Sequence, residues 1–206
     1  MTPVPPAFVI ATANPDKAAE VREILSAALG SSARLVPRPD EVPEVEETGD
    51  TLEENGRLKA AALCRATGLP AMADDTGLEV KGIHGAPGVY SSRYAGERAT
   101  YADNVAKLLS ELSGLAASDE GRQARFRTVA VCVFPDGREI VAEGTVSGRI
   151  TVEARGASGF GYDPVFVPDE GDGRTFAEMS RDEKHSLSHR GRAFRLLAER
   201  LLDSAP

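Results

Sequence analysis

Leu69-Pro70-Ala71-Met72-Ala73-Asp74-Asp75-Thr76-Gly77-Leu78 is the stretch whose reading decides the fold. Five uncharged residues run straight into two adjacent carboxylates. A short, wholly apolar run of this kind predicts a buried strand, central in its sheet. Carboxylates at the exit of such a strand lie where α/β sheets open on a ligand. A polar turn that merely closes the strand is the other reading of Asp-Asp-Thr-Gly.

Upstream lie a second acidic cluster, Glu44 to Glu47, and a helix that the capping box Thr51-Leu52-Glu53-Glu54 starts and Gly68 stops. On that helix Leu52, Asn55, Lys59, Leu63 and Ala66 fall near one face, so Lys59 interrupts an inward stripe. A buried ammonium needs a partner. Either Lys59 snorkels to the edge, or it bridges phosphate oxygens and the carboxylates of Glu47 and Asp75. Hard oxygen ligands beside a cation point to magnesium and phosphate. Magnesium takes one or two carboxylates, and the other acid would be left to orient or deprotonate a water.

The rest of the chain alternates in the same way. Ala7 to Thr12 predicts a buried strand, and Asn14-Pro15 caps a helix that runs to about Leu29. Val21, Ile24, Leu25, Ala28 and Leu29 form its buried face, with Glu20, Arg22 and Glu23 toward water. A short strand over Arg34 to Pro39 leads into a proline-rich extended stretch. The central strand ends at Asp74, and Leu78 to Ile83 forms another. A helix covers Tyr101 to Leu112, and Pro135-Asp136-Gly137 joins two β-rich runs as a hairpin. Gly156 to Gly173 reads as functional loops around a strand at Pro164 to Val167. Ser180 to Glu183 is a second capping box, and Phe194, Leu197, Leu201 and Leu202 stripe the closing helix.

With 206 residues, 41% hydrophobic and 27% charged, the chain predicts one soluble domain spanning 1–206. A net charge of −8 argues against a nucleic-acid-binding face, though not against one small anion held by a few cations. Cys64 and Cys132 have no metal-site spacing and read as buried hydrophobes of a reducing compartment. Met1 to Pro6 carries no basic region, and no segment has the length to cross a bilayer, so a cytoplasmic protein without a membrane partner is expected.

Three further clusters carry chemistry. Thr12-Ala13-Asn14-Pro15-Asp16-Lys17 joins a strand to a helix N-terminus, where backbone N–H groups and the helix dipole favour an anion. Lys17 opposes that dipole unless a phosphate lies between; an exposed lysine beside an Asn cap is the plainer alternative. Ser158 to Pro164 combines glycines, aromatic rings and Asp163, which together fit a base pocket, although each element also serves ordinary loop packing. Lys184, His189 and Arg190 near the last helix suit an anion or a carbonyl-rich base.

In this order the segments resemble the inosine triphosphate pyrophosphatase family, from about Val9 to Leu201. The matching parts are Thr12 to Lys17, Glu46-Glu47-Thr48-Gly49, Glu54-Asn55 with Lys59, Ala73 to Leu78, Gly85-Ala86-Pro87-Gly88 with Ser92-Arg93-Tyr94, Gly159 to Pro164, and Ser188 to Gly191. The resemblance implies an α/β fold with an elongated, long mixed β-sheet, flanking helices and two lobes around a central substrate cleft. It implies a homodimer that hydrolyses ITP, dITP and XTP to the monophosphate and pyrophosphate with Mg2+. Thr12, Ala13, Asn14, Pro15, Asp16 and Lys17 would bind the triphosphate. Glu47 and Asp75 would hold magnesium, with Asp75 also the base and Lys59 supporting the phosphates. Thr76, Phe160, Gly161, Tyr162, Asp163, Lys184, His189 and Arg190 would bind substrate. Thr76 stands where many relatives have serine and keeps the hydroxyl. Arg190 can donate to a 6-oxo group but has no acceptor for a 6-amino group, a physical ground for rejecting ATP. A catalytically silent nucleotide sensor would not need Glu47, Lys59 and Asp75 together, and a structural dimer module would not need a lysine on an apolar face. A pyrophosphatase for other modified nucleotides is the remaining alternative.

Overall fold

The computed structural model describes residues 7–30 and 33–204; the segment Met1 to Pro6 lies outside them. Its regular elements are β1 (Ala7–Ile10), α1 (Pro15–Leu29), β2 (Arg34–Pro37), α2 (Leu52–Thr67), β3 (Ala71–Val80), β4 (Pro87–Gly88), α3 (Tyr101–Glu111), β5 (Gln123–Val133), β6 (Glu139–Ile150), β7 (Phe166–Pro168), α4 (Arg181–Leu187) and α5 (His189–Asp203). The strand order is β2-β1-β3-β5-β6-β7, with β4 on β3. β1 runs parallel to β2 and β3, while β4 and β7 run antiparallel to β3 and β6. The expected mixed α/β sheet with flanking helices is therefore present.

Contacts divide the chain into two compact units. The first comprises 1–75, 128–144 and 190–206. Its core is built where the apolar faces of α1 (Val21, Ile24, Leu25, Leu29) and α5 (Phe194, Leu197, Leu201) meet Phe8, Ile10, Met72 and Cys132 of the strands. Asn14 caps α1 through its side chain, and Thr51 and Glu54 form the capping box of α2, as their spacing predicts. Gly68 ends α2 in the left-handed conformation that a side chain would strain.

The second unit comprises 76–127 and 145–189. Leu78, Val80, Leu108, Phe126, Phe166 and Phe176 lie in its core. Arg122 is buried there and bonds backbone carbonyls. Its Nε donates to the Leu115 carbonyl at 3.1 Å, Nη1 to Thr151 at 2.8 Å and Nη2 to Leu112 at 2.7 Å. One guanidinium thus ties the end of α3 to the end of β6.

Several expectations need correction. The central strand does not stop at Asp74: β3 continues through both carboxylates to Val80, and the separate strand at Leu78 to Ile83 is its second half followed by a 3-10 turn. The acids can remain in a strand because cations bonded to them offset the cost of burial. Glu20, assigned to the water-facing side of α1, is 6% exposed and ion-paired. Ala66 and Leu202 lie toward solvent, so the inward stripe of α2 ends at Leu63 and Cys64 and that of α5 at Leu201.

Candidate active site

The first unit carries two linked sets of ion pairs. In one, Lys59 on α2 reaches the loop before that helix and the middle of β3: its Nζ lies 2.6 Å from Glu47 Oε1 and 3.5 Å from Asp75 Oδ1. In the other, Arg190 at the start of α5 donates through Nη1 to Glu20 Oε2 at 2.6 Å, and through Nε and Nη2 to Asp74 Oδ2 at 3.3 and 3.2 Å. Lys17 Nζ lies 3.8 Å from the same Asp74 oxygen. Lys17, Lys59 and Arg190 therefore face Glu20, Glu47, Asp74 and Asp75.

Burial sets the proton affinities. It pushes the Asp75 carboxyl above the ordinary range, opposed by the ammonium groups of Lys59 and Lys17 and reinforced by Glu47. Burial also lowers Lys17, which Asp74 only partly opposes and which Lys59 and Arg190 deepen. For Lys59 burial acts downward too, but Asp75, Glu47 and Asp74 outweigh it and raise the group. The Arg190 guanidinium is likewise raised: burial acts downward, and Asp74 and Glu20 together exceed it.

The N-terminus of α1 has the expected Asn14 cap, and that cap bears on the expected anion site. Pro15 has no N–H, and Asn14 Oδ1 already accepts from the N–H groups of Asp16 and Lys17, at 2.9 and 3.2 Å. Thr12 Oγ1 accepts from the Asn14 N–H. The turn and cap therefore take the Asn14, Asp16 and Lys17 N–H groups, and the Lys17 ammonium is the cationic side chain of that segment.

The second unit carries a smaller polar group. Asp163 Oδ2 accepts from the Phe160 N–H at 2.8 Å and from Lys184 Nζ at 2.7 Å. The same ammonium lies 4.7 Å from the Phe160 ring centroid, and Tyr101 packs against that ring at 5.9 Å. Gly159 makes this turn possible: its φ is +74°, and a Cβ there would lie 2.1 Å from Asp163 Oδ2. Gly161 also has positive φ, at +62°. Phe160, Gly161, Asp163 and Lys184 thus form one connected group, and Thr76 is half-buried in β3 of this unit.

Two expected binders sit deeper. Tyr162 is buried in the apolar core and donates its hydroxyl to the Ser91 carbonyl at 3.0 Å. His189 stacks on Phe126, with ring centres 4.3 Å apart and planes 15° from parallel. Arg190 is 2% exposed with three donor contacts to carboxylates, so it does not stand as the open donor to a base that the sequence suggested.

Sequence reasoning passed over Glu20 and Asp74 as the partners of Arg190, and Asp74 as that of Lys17, and gave Asn55 a place on the inward face without a role. Asn55 is fully buried and bonds Asp75. Its sequence signals are an amide on the inward face of α2 and a place in the family-like segment Glu54-Asn55 with Lys59. Glu20 has none beyond its place in the first turns of α1.

Glu47 and Asp75 fit a divalent cation by their chemistry: two hard carboxylates already converge on one positive charge. Among the described residues no group of three or more His, Cys, Asp or Glu side chains could hold a metal. Two carboxylates still suit magnesium, which completes its shell with water and phosphate.

Comparison with known proteins places the chain. A dITP/XTP pyrophosphatase of Streptomyces avermitilis is 47% identical over 193 residues, covering 92% of this chain and 94% of the relative. The solved structure of a HAM1 protein from Coxiella burnetii has a TM-score of 0.84 at 39% identity, covering 96% of this chain and 99% of its own. A nucleoside-triphosphatase / dITP/XTP pyrophosphatase from Mycobacterium abscessus gives 0.72 at 42% identity, covering 93% and 97%. The sequence profile of the Ham1 family matches residues 8–200, from the first strand to the last helix, and by that match and these relatives the chain belongs to the Ham1 family.

Proposed function

We propose that this protein is a nucleoside triphosphate pyrophosphatase that hydrolyses dITP, ITP and XTP to the monophosphate and pyrophosphate, removing deaminated purines from the nucleotide pool. The observation that carries the reading is the half-buried contact set in which one ammonium, Lys59, joins Glu47 to Asp75. Buried acids cost several kcal/mol each when isolated, so a chain that keeps Asp75, Asp74 and Glu20 buried beside three cations has a use for the charge. The names of the relatives support the same activity.

In this reading Glu47 and Asp75 hold Mg2+, which supplies Lewis-acid polarisation of the phosphates and neutralises their charge. Lys59 and Lys17 offset further phosphate charge, and Thr12 to Asp16 shape the strand-to-helix turn beside them. Asp75 accepts a proton from the water that attacks as the α–β phosphoanhydride bond breaks. Arg190 acts through Asp74 and Glu20, holding the first of these beside Lys17. Phe160, Gly161, Asp163 and Lys184 receive the base, with Thr76, Tyr162 and His189 supporting that unit. Both units serve one reaction as a single catalytic domain. A cytoplasmic homodimer completes the proposal on the family resemblance. No helix among the described residues is long and apolar enough to cross a membrane.

The test is release of pyrophosphate from ITP, dITP, XTP, GTP, ATP and dUTP with Mg2+. Turnover of the first three well above ATP, abolished by excess EDTA, is expected. Release of single phosphate, equal turnover of ATP, or full activity in EDTA would overturn the proposal.

A further inference from the structure

Asn55 is fully buried on α2 and makes two hydrogen bonds of opposite sense. Its Oδ1 accepts from the Gly49 N–H at 2.8 Å, and its Nδ2 donates to Asp75 Oδ2 at 3.1 Å. The amide cannot be turned round, because a backbone N–H needs an acceptor and a carboxylate needs a donor. Gly49 lies two residues beyond Glu47. One side chain therefore ties the loop that carries one candidate metal ligand to the strand that carries the other.

We propose that Asn55 is a positioning residue, one that fixes the separation of the Glu47 and Asp75 carboxylates and thereby sets the affinity for a divalent cation. The proposal rests on the reading of those two acids as metal ligands. Lys59 is less suited to hold that separation, being a flexible four-carbon stem that ends in a point charge, 2.6 Å from Glu47 but 3.5 Å from Asp75. The Asn55 amide is short and rigid, and close packing leaves its neighbours no alternative. A Cβ on Gly49 would lie 2.8 Å from Asn55 Oδ1 and 2.6 Å from Glu54 Cβ. A Cβ on Gly56 would meet Val131 Cγ2 at 3.2 Å, so α2 lies close over the strands at the position next to Asn55.

The experiment titrates Mn2+ alone into the substrate-free full chain and follows the electron paramagnetic resonance signal of the free ion. Residues that orient metal ligands commonly alter affinity by about ten- to a hundredfold. N55L, which keeps the branching and heavy-atom count of the side chain but bonds neither partner, is expected to weaken Mn2+ binding about tenfold or more. G49A disturbs the same link from the loop side, where the added Cβ must displace Asn55 Oδ1 and Glu54 Cβ, and is expected to weaken binding in the same direction. E47Q and D75N test the underlying reading. If those two weaken binding while N55L and G49A bind as the unaltered protein does, the role of Asn55 is overturned and the metal assignment stands. If E47Q and D75N bind normally, or the unaltered protein binds no Mn2+, the metal assignment fails and the proposal with it. A lower melting temperature in N55L with unchanged affinity in both variants would make Asn55 a packing residue only, and overturn the proposal.

Discussion

Replacing Arg190 by methionine should cost stability before it costs anything else. The guanidinium is 2% exposed, and its partners Glu20 and Asp74 are 6% and 1% exposed along their side chains. Methionine keeps most of the volume but leaves two buried carboxylates without the guanidinium they share, with Lys17 at 3.8 Å as the nearest compensation for Asp74. Removing one member of a buried ion pair costs about 3–5 kcal/mol. For a chain of this length each kcal/mol moves Tm by about 2–4 °C, so a fall of roughly 6–20 °C is expected. Circular dichroism against temperature at neutral pH measures it. Adding Glu20→Gln and Asp74→Asn to Arg190→Met should recover part of the loss, because the uncompensated charges go. A Tm within about 3 °C of the parent would refute the reasoning. If such a variant also lost discrimination between ITP and ATP, the guanidinium would be a reader of the base rather than the clamp of a buried chain.

Asp75→Asn should lower turnover at least about a hundredfold while the protein stays folded, measured as kcat for dITP. The same change also removes a counter-charge of Lys59, so its pH dependence, not its net stability, reports on the carboxyl. The folded-state carboxyl of Asp75 is raised, so its favourable contribution is complete below the ordinary value of 3.8 and is lost as pH rises through the folded-state value. Urea unfolding from pH 7 to pH 3 should show the variant's stability relative to the parent falling as the pH falls; a relative stability that grows toward acid would contradict the assignment. Arg122→Met, in the second unit, should leave three carbonyl acceptors without their charged donor and cost about 3 kcal/mol or more, a Tm fall of at least about 6 °C. Its kcat should match that of the parent, and an unchanged Tm would remove the clamp from the account.

The local devices of this fold were legible in the chain because each is complete within a few residues. The Asn14 cap, the Thr51 and Ser180 capping boxes, the Gly68 stop and the turn at Pro135 to Gly137 satisfy their own hydrogen bonds, so their spacing alone predicts them. Glu47, Lys59 and Asp75 were legible for a related reason. A lysine on an inward helix face and acids after an apolar run are misplaced unless they meet, and they do. The partner of Arg190 could not be read in this way. Glu20 lies 170 residues from it and Asp74 116, and nothing near either acid in the chain signals a cation. Helical periodicity put Glu20 toward water because periodicity sees one helix at a time. Only the packing of α5 beside α1 and β3 brings a guanidinium to those carboxylates, and the resulting charge balance, not local propensity, keeps Asp74 and Asp75 inside the strand they were expected to end.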